Sequence, residues 1–168
     1  MRMPVDRFRG LFAYDEWASR RVRDCLDGLT DEQLTADLSY SVGSLRTQAV
    51  HVLTNQSFWV GFLATGERRF VNYDDYPTWP VIRTAWEQVH RETDEYLGTL
   101  TADDLDRMVL PEHWARRGRP PFAVWQGLTQ LINHNTDHRA QMLAGIHRLG
   151  GRTAGQDYRS WAAEAAQP

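Results

Sequence analysis

Apolar positions recur with a period near 3.6 residues in four long stretches of the chain, a pattern that predicts four amphipathic helices. The first runs from Val5 to Leu29, with Phe8, Leu11, Phe12, Ala18, Val22, Leu26 and Leu29 on one stripe. Asp15 falls in the middle of that stripe, with Ser19 beside it. A carboxylate on a core face is costly unless it is paired or hydrogen-bonded. Asp15 therefore reads in two ways: as a core group bonded to an Arg or a Trp N–H, or as the partner that orients a metal-bound histidine. The second helix is capped by Ser44, runs from Leu45 to Thr65 and stops at Gly66. His51 lies at the edge of its apolar face, and Gln48 and Asn55 flank it one turn either way.

The third helix is capped by Thr78, admits Pro80 in its first turn and ends near Leu100. Ile82, Trp86, Val89, Thr93, Tyr96 and Leu97 form its stripe, and His90 on the flank reads as a surface or rim residue. The fourth runs from about Phe122 to Leu149, with Val124, Leu128, Leu131, Met142, Ile146 and Leu149 inward and Gly150-Gly151 ending it. Asn135 and His138 lie on that stripe, and His134 and Gln141 at its border. A polar cluster of this size on a core-facing helix has to be satisfied by something.

Short elements join these helices. Thr30 and Gln33 form a capping box for a helix of a turn or so, and Leu100 to Leu105 echoes Leu29 to Leu34. The echo reads as helix, short helix, loop, helix, twice over, and convergent capping accounts for it as well as duplication does. Glu67 to Pro77 is an aromatic and acidic connection containing Phe70, Tyr73, Asp74, Asp75 and Tyr76. Arg107 to Pro121 is irregular, with short extended pieces. Its Arg116, Arg117 and Arg119 read first as a solvated cluster and second as an anion site. The tail carries an arm or short helix around Tyr158 and Trp161. With no strand-like run of comparable length, the fold class is all-α, a four-helix bundle with short connecting helices in a single domain over residues 1–168.

Composition narrows the functions. The net charge of the 168-residue chain is -3, and every basic side chain is Arg, so no broad electrostatic case for nucleic acid arises. No run is apolar enough for a signal peptide or a membrane span, and a cytoplasmic protein is expected. The single cysteine, Cys25, excludes an internal disulfide and a multi-cysteine zinc site. It also sits off the stripe of its helix, which argues against it as a nucleophile. Trp17, Trp86 and Trp125 read as packing or dimer contacts.

The candidate chemistry lies in the fourth helix. His134 and His138 are four residues apart, so they stack on one face about 6 Å apart and can share one metal ion. His51 is the best candidate for a third ligand. The peptidase version of His-x-x-x-His needs Glu after the first histidine, and this chain has Asn135 there. Inward Glu-x-x-His pairs of a di-iron bundle are missing as well. Three neutral imidazoles and an open position suit zinc or nickel, with iron a further option.

Three segments together resemble the DinB/YfiT-like family of metalloenzymes, a family distinct from the DNA polymerase that shares its gene name. They are Tyr14-Asp15-Glu16-Trp17-Ala18-Ser19-Arg20, Ala49-Val50-His51-Val52, and Asn133-His134-Asn135-Thr136-Asp137-His138-Arg139-Ala140-Gln141. Asp157 also fits a trailing position of the pattern. The resemblance implies a four-helix bundle, often a homodimer, with a divalent metal held by residues that here are His51, His134 and His138. Relatives include S-transferases and isomerases that use low-molecular-weight thiols such as bacillithiol or mycothiol. This chain departs from the pattern at Asp15, where Asn is more frequent, and at Ala140, where Gly is common.

Three functions remain open on this reading. The first is a metal-dependent transferase in which a cofactor thiol attacks a small-molecule electrophile, with Asp15 and Asn135 as candidate catalytic residues. The second is metal-assisted hydrolysis, with Asp15 or Asp137 as base. The third is a non-enzymatic, metal-stabilised dimer acting in stress response. None of the three requires nucleic acid or a membrane.

Overall fold

The structure is a computed structural model and describes residues 4–67 and 72–167. Phe70, placed above in the aromatic connection, lies outside the described residues. Four long helices dominate: α1 (Val5–Leu26), α3 (Leu45–Thr65), α4 (Trp79–Thr99) and α7 (Val124–Arg148). Short helices α2 (Asp31–Thr35), α5 (Ala102–Asp106), α6 (Glu112–Ala115) and α8 (Tyr158–Ala165) connect or flank them. The first helix stops at Leu26, three residues short of the sequence expectation: Asp27 N still donates to Arg23 O, but Gly28 N turns back to Cys25 O and ends the helical ladder. The last long helix starts two residues late, because Phe122 and Ala123 form strand β2 (Phe122–Ala123). That strand pairs antiparallel with β1 (Met108–Val109), in the register Met108 opposite Ala123 and Val109 opposite Phe122.

Local chemistry explains the helix ends. Ser44 Oγ accepts from Thr47 N, and Gly66 takes a left-handed φ of 79° to stop α3, a conformation open to glycine at no steric cost. Thr30 with Gln33 and Thr101 with Asp104 make two reciprocal capping boxes, one for each short helix of the echoed pattern. The echo extends to packing: α2 lies on α3, and α5 lies on α7. Thr78 precedes α4 without a side-chain cap, so the expected capping bond is not made there.

The long helices meet in the cyclic order α1, α4, α3, α7. Helices α3 and α7 run antiparallel, since Gly145 meets Leu45 at one end and Gly127 meets Leu63 at the other. A Cβ at Gly145 would lie 2.7 Å from Leu38 Cδ1 and 2.9 Å from Leu45 Cδ2, so any larger residue would force those side chains to shift.

The apolar core is divided in two. One half gathers Val22, Leu26, Leu53, Ile82, Trp86, Met142 and Ile146. The other gathers Phe8, Phe12, Trp59, Leu63, Leu97, Leu128 and Leu131. Between them every long helix contributes buried polar groups at the same level: Asp15 and Ser19, Gln56, His90 and Thr93, then Asn135 and Arg139. Asp15 and Arg139 are both 0% exposed and form an ion pair through Oδ1 and Nη1. Asn135 Nδ2 donates to Asp15 Oδ2 at 2.9 Å and to Gln56 Oε1 at 3.1 Å. Gln56 Nε2 in turn donates to Thr93 Oγ1 at 2.8 Å. His90 is buried at 4% exposure, not at the rim as expected. Its Nδ1 lies 3.0 Å from Glu16 Oε2, and Glu16 also holds Arg23 at 2.7 Å. Burial, and then the nearby Arg23 and Arg139 charges, keep the His90 pKa well below its ordinary value, so neutral His90 donates from Nδ1 to the Glu16 carboxyl. The flank position misled because helix periodicity cannot report that α1 covers that side of α4.

Removing one member of a buried ion pair strands the other charge. Asp15→Ala is expected to lower unfolding stability by about 3–5 kcal/mol in urea titration. Ser19→Ala loses only a 3.4 Å contact to Arg139 and is expected to cost under ~1 kcal/mol. Equal small losses for both variants would contradict a central role for the pair.

Candidate metal centre

The polar layer fixes how α7 is turned. With Asn135 and Arg139 held inward against α1 and α3, the neighbouring positions His134 and His138 face α3 along the groove between the two helices. His51 faces them from α3. One ring nitrogen from each of the three histidines lies within 4.8 Å of the others. His51 Nε2 and His134 Nε2 are 3.1 Å apart, and the His134 and His138 ring centroids are 4.4 Å apart. The three residues placed together from the sequence are therefore together in space.

Two imidazole nitrogens at 3.1 Å need a proton or a cation between them, because two bare lone pairs repel. Burial, and then the charges His138 and His51 would carry, lower the His134 pKa to about 4. Burial, then His138, lowers that of His51, and burial lowers that of His138. At neutral pH the cluster is thus three uncharged donors, the form that binds metal. Zinc–nitrogen bonds of about 2.0–2.1 Å in a tetrahedron separate the nitrogens by about 3.3–3.4 Å, close to the spacing seen here. The residues fit a divalent ion.

The surroundings are polar on both helices. His51 Nδ1 lies 3.3 Å from Tyr73 Oη; a proton on Nδ1 donated to that oxygen leaves Nε2 free as a ligand. Buried side-chain atoms near the cluster have no partner: His134 Nδ1, His138 Nδ1, Asn55 Oδ1, Gln141 Oε1 and both polar atoms of Gln48. Asp137 accepts from Gln141 Nε2 at 3.0 Å. Asp15 and Asn135 are placed one layer deeper: they are bonded to each other, Asp15 also pairs with Arg139, and Asn135 also bonds Gln56 and lies against the His134 ring, where its side chain favours the protonated form. Cys25 lies on α1, outside the triad, and burial raises its thiol pKa. Trp17 and Trp86 are buried, in line with packing roles.

The sequence of the whole chain, residues 1–168, matches the model of the DinB family. This chain belongs to the DinB family. No curated protein matches it in sequence. Among solved structures it is similar to a DinB-like protein from Bacillus cereus ATCC 10987. That likeness has a TM-score of 0.70 at 24% identity and covers 92% of this chain and 99% of that one. It bears on the fold, and it agrees with the helical bundle of this DinB protein.

Sequence reasoning missed three contributors. Gln56 was overlooked because an amide on an apolar stripe carries no motif, although its level between Leu53 and Trp59 matches that of Asp15 and Asn135 on their own helices. Tyr73 reaches His51 from a separate turn, a long-range contact with no local signal. The third is a cleft of about 830 Å³ whose walls include Asn55, Phe58, Trp59, Trp114, Phe122 and Gln130. Asn55 follows His51 by one helical turn and Gln130 precedes His134 by one, so the cleft opens about 6 Å from the triad.

The lowered imidazole values carry a sign. Below the ordinary value of 6.5 the unfolded chain takes up protons that the buried rings refuse, so stability falls as pH falls. Metal-free protein is expected to lose stability steadily from pH 6.5 toward about 4, with His90 acting in the same direction. His134→Ala should flatten part of that slope in chelator-treated denaturation series. A profile that rises on acidification would contradict the assignment.

Proposed function

We propose that this DinB-family protein is a divalent-metal-dependent enzyme acting on small molecules, of the low-molecular-weight-thiol S-transferase type. The observation that carries the reading is the triad itself: three neutral imidazoles from two facing helices, at the end of a cleft of small-molecule size. His51, His134 and His138 would hold the ion. Such an ion would supply Lewis-acid chemistry, favouring the ionised form of a water or thiol near neutral pH.

The chain's other residues are assigned supporting work. Tyr73 orients the His51 ring. Asp15 and Asn135 position α7 so that His134 and His138 point at α3; they act through the helix and not on the substrate. A thiol is preferred over water as the nucleophile because hydrolysis calls for a free general base. Asp15 is occupied by Arg139 and Asn135, and Asp137 by Gln141. Zinc or nickel suits three imidazoles better than a hard oxygen-seeking cation does. A homodimer belongs to the same reading, and sedimentation of the metal-loaded protein tests it.

Protein purified without an affinity tag is expected to carry a divalent ion that His134→Ala loses. Loaded protein should turn over a chloro-nitroarene only when a thiol is supplied, and chelation should abolish that turnover. Ester or amide turnover without thiol would replace this reading by hydrolysis. Metal that raises the melting temperature, with no turnover for any thiol, would favour a structural role.

A further inference from the structure

The cleft beside the triad has a composition of its own. Four aromatic rings enclose it: Trp59 lies 5.9 Å from Trp114 and 5.7 Å from Phe122, Trp114 and Phe122 are 5.3 Å apart, and Phe58 is 5.7 Å from Trp59. Three of these four contacts are edge-to-face, and all four residues line the cleft, so its wall on this side is aromatic. The floor is Gly127, where a Cβ would lie 3.2 Å from both Leu63 Cδ2 and Phe122 Cε2. Any larger residue there would press on Leu63, Phe122 and Trp59 and so disturb the aromatic wall.

At the rim stands one cation. Arg119 lies over the Trp114 ring, its Cζ 5.2 Å from the centroid, and no carboxylate among the described residues pairs with it. Arg116 in the same loop is different, being paired with Glu112. The loop is anchored for this purpose: Arg119 N donates to Trp114 O at 3.0 Å, and Pro120 and Pro121 stiffen the chain that follows. At the opposite end, toward the triad, Asn55 presents a buried Oδ1 with no partner. The cleft thus runs from a guanidinium, past flat apolar walls, to an amide and then to the three histidines.

We infer that this cleft is a subsite for an organic carboxylate with a flat, unsaturated body, held by Arg119 at the carboxylate and by the Phe58, Trp59, Trp114 and Phe122 rings along its length. It rests on the preceding section only in taking the triad as the place where such a ligand would react. A planar guanidinium matches a carboxylate in a forked pair, and its stacking on Trp114 pre-orients it. Ring faces favour a flat ligand over a puckered saturated one of equal size. The Arg loop, which the sequence offered mainly as a solvated cluster, is here divided: Arg119 binds ligand, and Arg116 is spent within its own helix.

Calorimetric titration of the zinc-loaded full-length protein with trans-cinnamate, trans-cinnamamide and cyclohexylpropionate tests the assignment. Cinnamate should bind best, and the amide and the saturated acid each about tenfold more weakly. Arg119→Gln should weaken cinnamate about tenfold and leave cinnamamide unchanged; Arg119 is exposed, so the fold is not at stake. Trp114→Leu should weaken both. Equal binding of the acid and the amide, no effect of Arg119→Gln, or no binding at all would overturn the subsite. Repeating the titration with His134→Ala separates the two claims. Cinnamate binding that survives there, with no metal-dependent turnover in the native protein, leaves the subsite standing and removes the enzymatic reading. Binding that vanishes with the metal but ignores Arg119 places the carboxylate on the ion and overturns the subsite.

Discussion

The buried pair between Asp15 and Arg139 is the constraint on which the rest of this bundle depends. A four-helix bundle with a continuous apolar core can turn its helices about their axes at modest cost, because one apolar contact replaces another. An ion pair at the centre cannot be exchanged in this way, since either charge left alone in the interior is heavily penalised. Asn135 and Gln56 extend the pair to α3, and Thr93 extends it to α4. Rotation of all four helices is thereby fixed at one level. Arg139 is also tied to the chain after α7, through Gln156 Oε1 at 3.0 Å, and Tyr14 Oη donates to Gln156 O at 2.7 Å.

The histidine cluster is a consequence of that rotation. His134 and His138 alternate along α7 with Asn135 and Arg139, so the residues that lock the helix and the residues that face the groove are neighbours in sequence. A shift that broke the inner set would swing the outer set away from His51. The cluster also leaves lone pairs in need of a partner: three neutral rings, two half-buried and one buried, two of them with nitrogens 3.1 Å apart, would gain from a cation part of what they lose on desolvation. The core division into two apolar halves belongs to the same logic, because the polar layer has to sit where all four helices can satisfy it.

Much of this was legible from the residues alone. Helix spacing, two capping boxes and the Ser44 and Gly66 signals are local, and they placed the long helices within a few residues. The pairing of His134 with His138 follows from i, i+4 geometry, and His51 stood out as an imidazole between two amides on an apolar-edged face. Asp15 was legible as a buried carboxylate needing a partner, but its partner was not, because Arg139 lies 124 positions away and no local rule links them. His90 was misplaced for the same reason: whether a flank is covered depends on the neighbouring helix. The aromatic cleft was hidden because Trp59, Trp114 and Phe122 come from three separate segments, and their ring-to-ring arrangement exists only after folding.

The central claim is that His51, His134 and His138 converge on a single cation. X-ray absorption fine structure on protein loaded with a stoichiometric amount of zinc tests it most directly. The account predicts a first shell containing three imidazole nitrogens at about 2.0–2.1 Å, with outer-shell scattering from three imidazole rings. A shell of oxygens alone, or one with fewer than three imidazoles, would contradict it.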